Sequence, residues 1–275
     1  MRRLLAIRPE SALLHALSTG VTGHELITSD GNVEALQRLR DLAVDVVITD
    51  LATSVTEDLA LAAELRTVRP GVKVIMLAPA TTHEDVVAAL RAQVFACFTL
   101  PLDFAEVAAM GLSALEAVDW RHGIEVVSGL PFWMTLRVSC DLLTAERLVR
   151  FMTEREDSLP ERDRDLLMTA FREMLLNAME HGAGFDPGKA IEVTAARTER
   201  AIVYHFRDPG NGFDRDALAH AARTRQPEDL IGVTLEREKT GRRPGGFGML
   251  LVKNIADELV YNERGNEVLL IKHLK

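Results

Sequence analysis

A carboxylate and a carboxamide lie four residues apart in this chain, at Glu173 and Asn177, and they are followed by Glu180 and His181. Residues spaced by three or four positions lie on one side of an α-helix, so these side chains form one polar stripe. An amide oxygen can bind Mg²⁺, and a neighbouring carboxylate can take a proton from an attacking hydroxyl group. The stripe therefore predicts a site for a magnesium nucleotide, and the competing interpretation is an ordinary solvated helix face.

A second candidate segment begins at Asp208, directly after a predicted strand over residues 201–207. Gly210 and Gly212 follow the carboxylate, and their small size lets the backbone approach a flat ligand closely. The carboxylate of Asp208 can accept a hydrogen bond from the exocyclic amine of adenine. The same residues are also good turn formers, so the segment is weak evidence by itself.

A third segment places glycines before a predicted helix over residues 250–256 and reads Gly245-Gly246-Phe247-Gly248-Met249. Free backbone amides at a helix N-terminus attract anions, and phosphate groups are the natural anion for this arrangement. The stretch from about 223 to 244 is highly charged and has little periodicity, which is typical of a mobile lid over a nucleotide. Within it, Arg242 and Arg243 could reach the phosphates, although charged loop residues are more often only solvated.

The element that carries the polar stripe is predicted from its periodicity. A long helix starts near Pro160, which suits a first helical position, and ends at a C-cap formed by Gly182. A closing hairpin is predicted over 258–262 and 267–273, and we expect it to supply strands rather than chemistry.

The first part of the chain, from residue 2 to about 118, alternates short apolar strands with amphipathic helical runs. Continuous apolar strands, rather than alternating ones, indicate a parallel sheet that is covered on both faces. We therefore expect a flavodoxin-like α/β domain, a doubly wound sheet of five parallel strands. These strands are predicted at 3–7, 24–28, 45–49, 72–77 and 95–99.

This order resembles the receiver domain of response regulators, with Asp50 at the end of the third strand, where the phospho-accepting aspartate of that family lies. Arg8 replaces the acidic pair that holds magnesium, Ala78 replaces the hydroxyl residue, and Leu100 replaces the lysine. A guanidinium cannot ligate magnesium, and alanine and leucine cannot support an acyl phosphate. We predict a degenerate receiver, or pseudo-receiver, in which Asp50 caps its loop or pairs with Arg8, and which serves for docking or dimerisation.

Turn-forming residues between 119 and 130 indicate a linker, so the predicted domains are 1–118 and 131–275. His122 in this linker raises the alternative of a histidine kinase, whose phospho-accepting histidine precedes an ATPase domain. Such a histidine lies on a long helical hairpin, and the glycines at this junction leave no room for one. A solvated linker histidine is the favoured interpretation.

Composition narrows the classes of function. The chain has 41 acidic and 32 basic side chains and a net charge of -9, which argues against a nucleic-acid partner. Cys97 and Cys140 form neither a metal-ligand spacing nor a disulfide framework, so a reducing cytoplasm is the simplest location. Arg8 and Glu10 interrupt the apolar start, and we predict no export signal and no membrane segment.

Together, the three segments resemble the N, G1 and G2 boxes of GHKL-type ATPases, which implies a two-layer α+β fold of the Bergerat type. The pattern Glu-x-x-x-Asn-x-x-x-His-Gly is similar to that of anti-sigma-factor serine/threonine kinases of the RsbW type over roughly residues 131–275. By this resemblance, Asn177 holds the magnesium that bridges the phosphates of ATP, Glu173 orients or deprotonates the incoming hydroxyl, and Asp208 binds adenine. The other implied nucleotide contacts are Glu180, His181, Gly210, Gly212, Arg242, Arg243, Gly246, Phe247, Gly248 and Met249.

The resemblance also implies the partners. The acceptor would be a serine or threonine of a small anti-anti-sigma protein of the STAS class, a sigma factor would compete for the kinase, and the kinase would be a homodimer. An alternative remains, in which the chain is a nucleotide-dependent binding module that sequesters a partner without phosphorylating it. Glu173 favours the kinase, because phosphoryl transfer needs a positioned nucleophile and simple binding does not.

Overall fold

The computed structural model describes residues 1–118, 120–121, 123–130, 132–212 and 248–274. These residues belong to two compact units, one of Met1–Val126 with Arg150–Ser158 and one of Val127–Val149 with Leu159–Lys275. Several residues singled out by the sequence lie outside the described ranges: His122, the predicted lid over 223–244 with Arg242 and Arg243, Gly246 and Phe247.

The sheet of the first unit has five strands, and every pairing in it is parallel. Their order is β2-β1-β3-β4-β5, which is the flavodoxin-like order of a doubly wound domain. The fold prediction for this half is confirmed, and no strand bound differs from the predicted one by more than one residue. The strands are β1 (Arg3–Ile7), β2 (Glu25–Ser29), β3 (Val46–Ile48), β4 (Lys73–Ala78) and β5 (Ala96–Thr99).

Four helices connect these strands, and a fifth follows β5: α1 (Ser11–Gly20), α2 (Asn32–Asp41), α3 (Val55–Val68), α4 (His83–Arg91) and α5 (Phe104–Glu116). Local chemistry fixes where three of them begin, because a side-chain oxygen accepts hydrogen bonds from the first turn. Ser54 and Thr82 form capping boxes at the starts of α3 and α4, and Asp103 caps α5. All residues of β3, β4 and β5 are buried, as expected for strands covered on both faces.

A second sheet has six strands in the order β10-β11-β9-β8-β7-β6. Strand β7 pairs with β8, β8 with β9, β9 with β11, and β11 with β10, and all four pairings are antiparallel. Its first strand, β6, occupies most of the segment that the sequence analysis treats as a linker, so this segment is an edge strand. The strands are β6 (Ile124–Leu130), β7 (Trp133–Ser139), β8 (Ala190–Arg197), β9 (Ala201–Arg207), β10 (Glu258–Tyr261) and β11 (Glu267–His273).

Helices α7 (Glu161–Asn177) and α8 (Gly248–Ile255) belong to the second unit, and α6 (Leu142–Arg155) begins in the second unit and ends in the first. The ring of Phe171 on α7 lies 4.8 Å from that of Tyr204 and 5.2 Å from that of Phe206, and all three side chains are buried. This aromatic cluster fixes α7 against β9, the strand that leads to Asp208. The helix-on-sheet arrangement is the predicted two-layer α+β fold.

The end of α7 differs from its prediction. Regular α-helix stops at Asn177, one π-helical turn covers Ala178–Ala183, and Gly184 closes the helix with φ 70°. Gly184 rather than Gly182 is therefore the left-handed cap. In a π-helical turn, backbone hydrogen bonds join residues five positions apart instead of four, so side chains do not keep the α-helical spacing. The predicted polar stripe therefore follows the α-helix through Asn177, and its spacing changes at Glu180 and His181.

The remaining expectations from composition concern cysteines and membrane segments. Cys97 and Cys140 are both buried and form no disulfide, and burial raises the pKa of each thiol. Among the described residues, no helix has the length and apolar character needed to cross a bilayer.

Candidate functional site

Helix α7 presents Glu173 and Asn177 on its partly exposed side, while its buried side faces the sheet. Glu173, Asn177 and Glu180 are half-buried, and His181 is exposed. The sequence dictates this arrangement, because apolar residues repeat with helical spacing on the other side. The buried residues of α7 are Leu167, Met168, Ala170, Phe171, Met174, Leu175 and Leu176.

Asp208 follows the last residue of β9 and is held through its main chain. Its N–H group donates to the carbonyl oxygen of Asn266 at 3.0 Å, and Nδ2 of Asn266 donates to the carbonyl oxygen of Asp208 at 3.2 Å. The N–H group of Gly210 donates to Oδ1 of Asp208 at 2.8 Å. Burial raises the pKa of Asp208, and the hydrogen bond from Gly210 partly opposes this effect. Within the described ranges Oδ2 accepts no hydrogen bond, so this oxygen is the candidate acceptor for a ligand.

The π-helical turn and the loop after β9 touch at Gly182. A Cβ atom at this position would lie 2.2 Å from Cγ of Asp208 and 2.3 Å from its Cβ. No other residue type fits there without moving Asp208. Gly182, which the sequence analysis assigns to a helix cap, instead makes room for the predicted adenine-binding carboxylate.

Gly212 also lies very close to another segment of the backbone. Its φ is 78°, and a Cβ atom there would lie 1.8 Å from the carbonyl oxygen of Arg264 in the turn between β10 and β11. The loop after β9 is therefore packed directly on this turn.

The start of α8 lies against the polar side of α7. A Cβ atom at Gly248 would lie 2.3 Å from Oε2 of Glu173, so the first turn of α8 and this carboxylate are in contact. Nδ2 of Asn177 is 3.5 Å from Sδ of Met249, and the hydroxyl group of Tyr261 is 3.9 Å from the same sulfur. The structure thus brings together Glu173, Asn177, Gly248 and Met249 from the first and third sequence segments.

The amide of Asn177 fits the role of a single metal ligand. Because its nitrogen faces the sulfur of Met249, the side-chain oxygen is the atom left for a cation. Across the described ranges, no cluster of three or more His, Cys, Asp or Glu side chains could hold a metal ion. A magnesium ion at Asn177 would therefore take most of its ligands from phosphate oxygens and water, as Mg²⁺ commonly does.

Sequence reasoning missed the hairpin of β10 and β11 as part of this site. Oδ1 of Asn262 accepts from the N–H groups of Gly265, Asn266 and Glu267 at 2.8, 3.1 and 3.2 Å. Nδ2 of Asn262 donates to Oδ1 of Asn266 at 3.0 Å, and Asn266 in turn holds Asp208. The hairpin supplies no reacting group in this arrangement, but its turn positions the main chain of Asp208. The sequence feature that could have indicated this role is the pair of asparagines, Asn262 and Asn266, at the two ends of a five-residue turn.

The receiver-like site lies in the first unit and is built as its sequence predicts. Nη2 of Arg8 lies 2.8 Å from Oδ2 of Asp50, and the N–H group of Ala52 donates to Oδ1 of Asp50 at 2.9 Å. Ala78 is the last residue of β4, and Leu100 follows β5. Asp50 therefore both pairs with Arg8 and caps its loop.

A buried carboxyl group, Asp58, lies behind Asp50 and was not predicted. It accepts hydrogen bonds from Thr49 at 2.7 Å and from Thr53 at 2.6 Å. Burial raises its pKa to about 6, and the two hydrogen bonds oppose the shift. Nothing in the sequence pattern distinguishes this acid from a solvated residue in the first turn of a helix.

Residues 140–272 match the Histidine kinase-like ATPase domain family. The chain is also similar to two curated proteins, the transcriptional regulatory protein GlrR of Escherichia coli (strain K12) and the transcriptional regulatory protein QseF of Escherichia coli O157:H7. Each is 34% identical over 139 residues, which are 48% of this chain and 31% of the relative. The chain thus spans about a third of the length of the curated relatives it matches.

Solved structures similar to this chain include a response regulator from Thermotoga maritima, 17% identical, with a TM-score of 0.38 over 42% of this chain and 99% of that chain. A response regulator receiver domain protein from Clostridium thermocellum is 22% identical, with a TM-score of 0.35 over 42% of this chain and 94% of that chain. Residues 140–272 are therefore similar to histidine kinase-like ATPase domains, and they follow in sequence a domain with the parallel strand order β2-β1-β3-β4-β5.

Proposed function

We propose that this chain is a protein serine/threonine kinase of the anti-sigma-factor type, which uses Mg²⁺ and ATP to phosphorylate an anti-anti-sigma protein of the STAS class. The observation that supports this proposal most is that the second and third segments both lie against the first, which comprises the end of α7 and the π-helical turn after it. The start of α8 lies against Glu173 and Asn177, and the turn at Gly182 lies against Asp208. The match of residues 140–272 to an ATPase domain family also supports the use of ATP.

In this proposal, each residue has a defined task in binding or in proton transfer. Asp208 accepts a hydrogen bond from the exocyclic amine of adenine, and the main-chain amides at the start of α8 face the phosphates. Asn177 offers its amide oxygen to Mg²⁺, and the bound magnesium nucleotide supplies a phosphoryl group that is ready for transfer. Glu173, one helical turn before Asn177, accepts the proton of the incoming hydroxyl group or orients that group.

The position of Glu173 favours a kinase over a module that only binds nucleotide. Its carboxylate touches the backbone at Gly248, where the third segment enters α8, so it lies beside the amides that we assign to the phosphates. A carboxylate there repels phosphate oxygens and gives no benefit to nucleotide binding, whereas it can serve a hydroxyl group that attacks the terminal phosphate.

The receiver-like domain then acts without phosphorylation, as a docking or dimerisation surface. Arg8 places a cation on Asp50, where phosphoryl transfer would need magnesium, and Leu100 offers no charge to an acyl phosphate. By the same family resemblance, the kinase is a homodimer and a sigma factor competes with the STAS protein for it.

The test is transfer of label from γ-³²P-ATP to purified STAS proteins in the presence of the full chain and Mg²⁺. We expect label on a serine or threonine of a STAS protein. Glu173→Gln should lower the rate of transfer by about 100-fold or more, because general-base catalysis contributes on that scale, and should leave ATP binding intact. Glu199→Gln, at an exposed turn, is the matched control and should transfer at the wild-type rate.

Two other outcomes would contradict the proposal in different ways. Magnesium-dependent ATP binding without label on any STAS protein would identify a nucleotide-dependent binding module. Acid-labile label on the chain itself would identify a histidine kinase.

A further inference from the structure

A cavity opens at the carboxyl edge of the five-stranded sheet, above the place where β1 and β3 lie side by side. These strands are neighbours in the sheet but not in the chain, because β2 lies on the other side of β1. The connections that follow β1 and β3 therefore leave towards opposite faces, and a crevice forms between them. In doubly wound sheets, ligands bind in this crevice.

The cavity has a volume of about 300 Å³, which is at the lower end of the range for small-molecule sites. It therefore suits a ligand of on the order of ten non-hydrogen atoms. Most of its wall is apolar, and the apolar residues come from the ends of β1 and β4, from α1, and from the segments after β3 and β5. They include Leu13, Leu77, Pro79, Leu100 and Phe104.

Three charged residues also line the cavity, Asp50, Arg8 and Glu10. Asp50 and Arg8 form an ion pair with each other. Asp50 is only 5% exposed, and its Oδ2 atom accepts no hydrogen bond within the described part of the chain. Nη2 of Arg8 lies 2.8 Å from this oxygen but is not aligned as a hydrogen-bond donor. A buried acceptor without an aligned donor costs free energy, so a ligand that donates a well-aligned hydrogen bond to Asp50 would bind favourably.

The side chain of Arg8 is 54% exposed, which leaves most of its N–H groups for another acceptor. Its backbone has φ 40°, a conformation that is uncommon for a residue with a side chain. Backbone strain of this kind tends to occur at ligand-binding positions. Helix α1 begins three residues later at Ser11, and no side chain caps its first amides.

We propose that this cavity binds a small zwitterion with an apolar body, which is the chemistry of an apolar α-amino acid. The ammonium group donates to Oδ2 of Asp50, the carboxylate accepts from the outer N–H groups of Arg8, and the side chain packs against Leu77, Leu100 and Phe104. An amine alone would leave Arg8 beside a second cation. A carboxylate alone would bring a second anion towards Asp50 and leave Oδ2 without a donor.

This site occupies the place at which a receiver is phosphorylated, and it lacks the groups for that chemistry. Binding of the ligand, rather than phosphorylation, is therefore the signal that the first domain receives. The site is independent of the proposed kinase reaction, since all of its residues lie between Ile7 and Phe104.

The test is isothermal titration of the full chain with L-leucine and L-phenylalanine, together with thermal melting at saturating ligand. We expect saturable binding of at least one of the two and a rise in melting temperature. 3-Methylbutylamine and 4-methylpentanoate, which each carry one of the two charges of leucine, should bind at least about tenfold more weakly, as expected for loss of a charged hydrogen bond.

Two variants locate the binding. Asp50→Asn should weaken it by about tenfold or more, for the same reason. Leu100→Trp should block it by filling the cavity, and this change is well tolerated because Leu100 is 48% exposed and makes no buried polar contact. Asp30→Asn, at an exposed residue outside the cavity, is the matched control. The proposal is overturned if neither amino acid binds the folded wild-type chain, if a single-charge analogue binds as tightly as leucine, or if binding persists in Leu100→Trp.

Discussion

Adding a single methyl group at Gly182 tests whether the position of Asp208 determines the affinity for ATP. In Gly182→Ala, the new Cβ atom would lie 2.2 Å from Cγ and 2.3 Å from Cβ of Asp208, whereas ordinary contacts begin at 3.4 Å. Asp208 must therefore retreat by about 1 Å. It cannot do so by rotating its carboxylate alone, because its own Cβ is in the clash and its main chain is bound on both sides to Asn266.

This displacement breaks the hydrogen bond that we assign to adenine. A hydrogen bond to a charged group contributes about 1.5–3 kcal/mol, so the affinity for ATP should fall by about 10- to 150-fold. Isothermal titration with ATP and Mg²⁺ measures this change. Tripolyphosphate, which has no adenine, should bind wild type and variant equally.

Gly71→Ala is the matched control, since a Cβ atom at that position meets nothing within 4 Å. It should bind ATP as wild type does. Melting curves for both variants show whether any loss of affinity comes from unfolding. Unchanged ATP affinity in a folded Gly182→Ala would refute the assignment of Asp208 to adenine, because a displaced carboxylate could not make the same bond.

Three further predictions concern other parts of the chain. In Gly248→Ala, the new Cβ would lie 2.3 Å from Oε2 of Glu173, so single-turnover label transfer to a STAS protein should slow while ATP affinity, measured by titration, is retained. Asp58 has a pKa of about 6 in the folded chain against an ordinary value of 3.8, so its contribution to stability is complete below pH 3.8 and is lost as the pH rises through 6. Between pH 4 and pH 6, the free energy of unfolding of Asp58→Asn, measured with urea, should therefore rise by about 1–3 kcal/mol relative to that of wild type. A difference in unfolding free energy that does not change with pH would contradict the burial of this charge. Acetyl phosphate with Mg²⁺ should leave Asp50 unmodified, and a stable phospho-adduct detected by mass spectrometry would contradict the pseudo-receiver assignment.

Much of the fold follows from local pattern. Continuous apolar strands separated by amphipathic helices are enough to predict a doubly wound parallel sheet, and the observed order β2-β1-β3-β4-β5 agrees with it. The ion pair between Arg8 and Asp50 was also accessible, because both residues follow strands that are adjacent in such a sheet. The predicted linker over 119–130 contains an edge strand, Ile124–Leu130, which the sequence did not reveal because an edge strand with exposed side chains has the composition of a connection.

The site was harder to predict in detail, because its fine geometry depends on contacts between distant residues. Gly182 has the sequence signature of a helix cap, and only the approach of Asp208 explains why this position must be glycine. Asn266 resembles an ordinary turn residue, yet it holds the main chain of Asp208, 58 positions away. Periodicity cannot show the π-helical turn after Asn177 either, since one inserted residue changes the helical spacing only locally.

The most direct test of the nucleotide site is the affinity of the full chain for ATP, measured by titration with and without Mg²⁺, in wild type and in Asn177→Ala. If Asn177 offers its amide oxygen to the metal, Mg²⁺ should strengthen ATP binding clearly in wild type and much less in Asn177→Ala. Asn254→Ala, at an exposed residue of α8, should behave as wild type. Equal dependence on Mg²⁺ in wild type and Asn177→Ala, or no binding of ATP to the folded wild-type chain, would contradict the account.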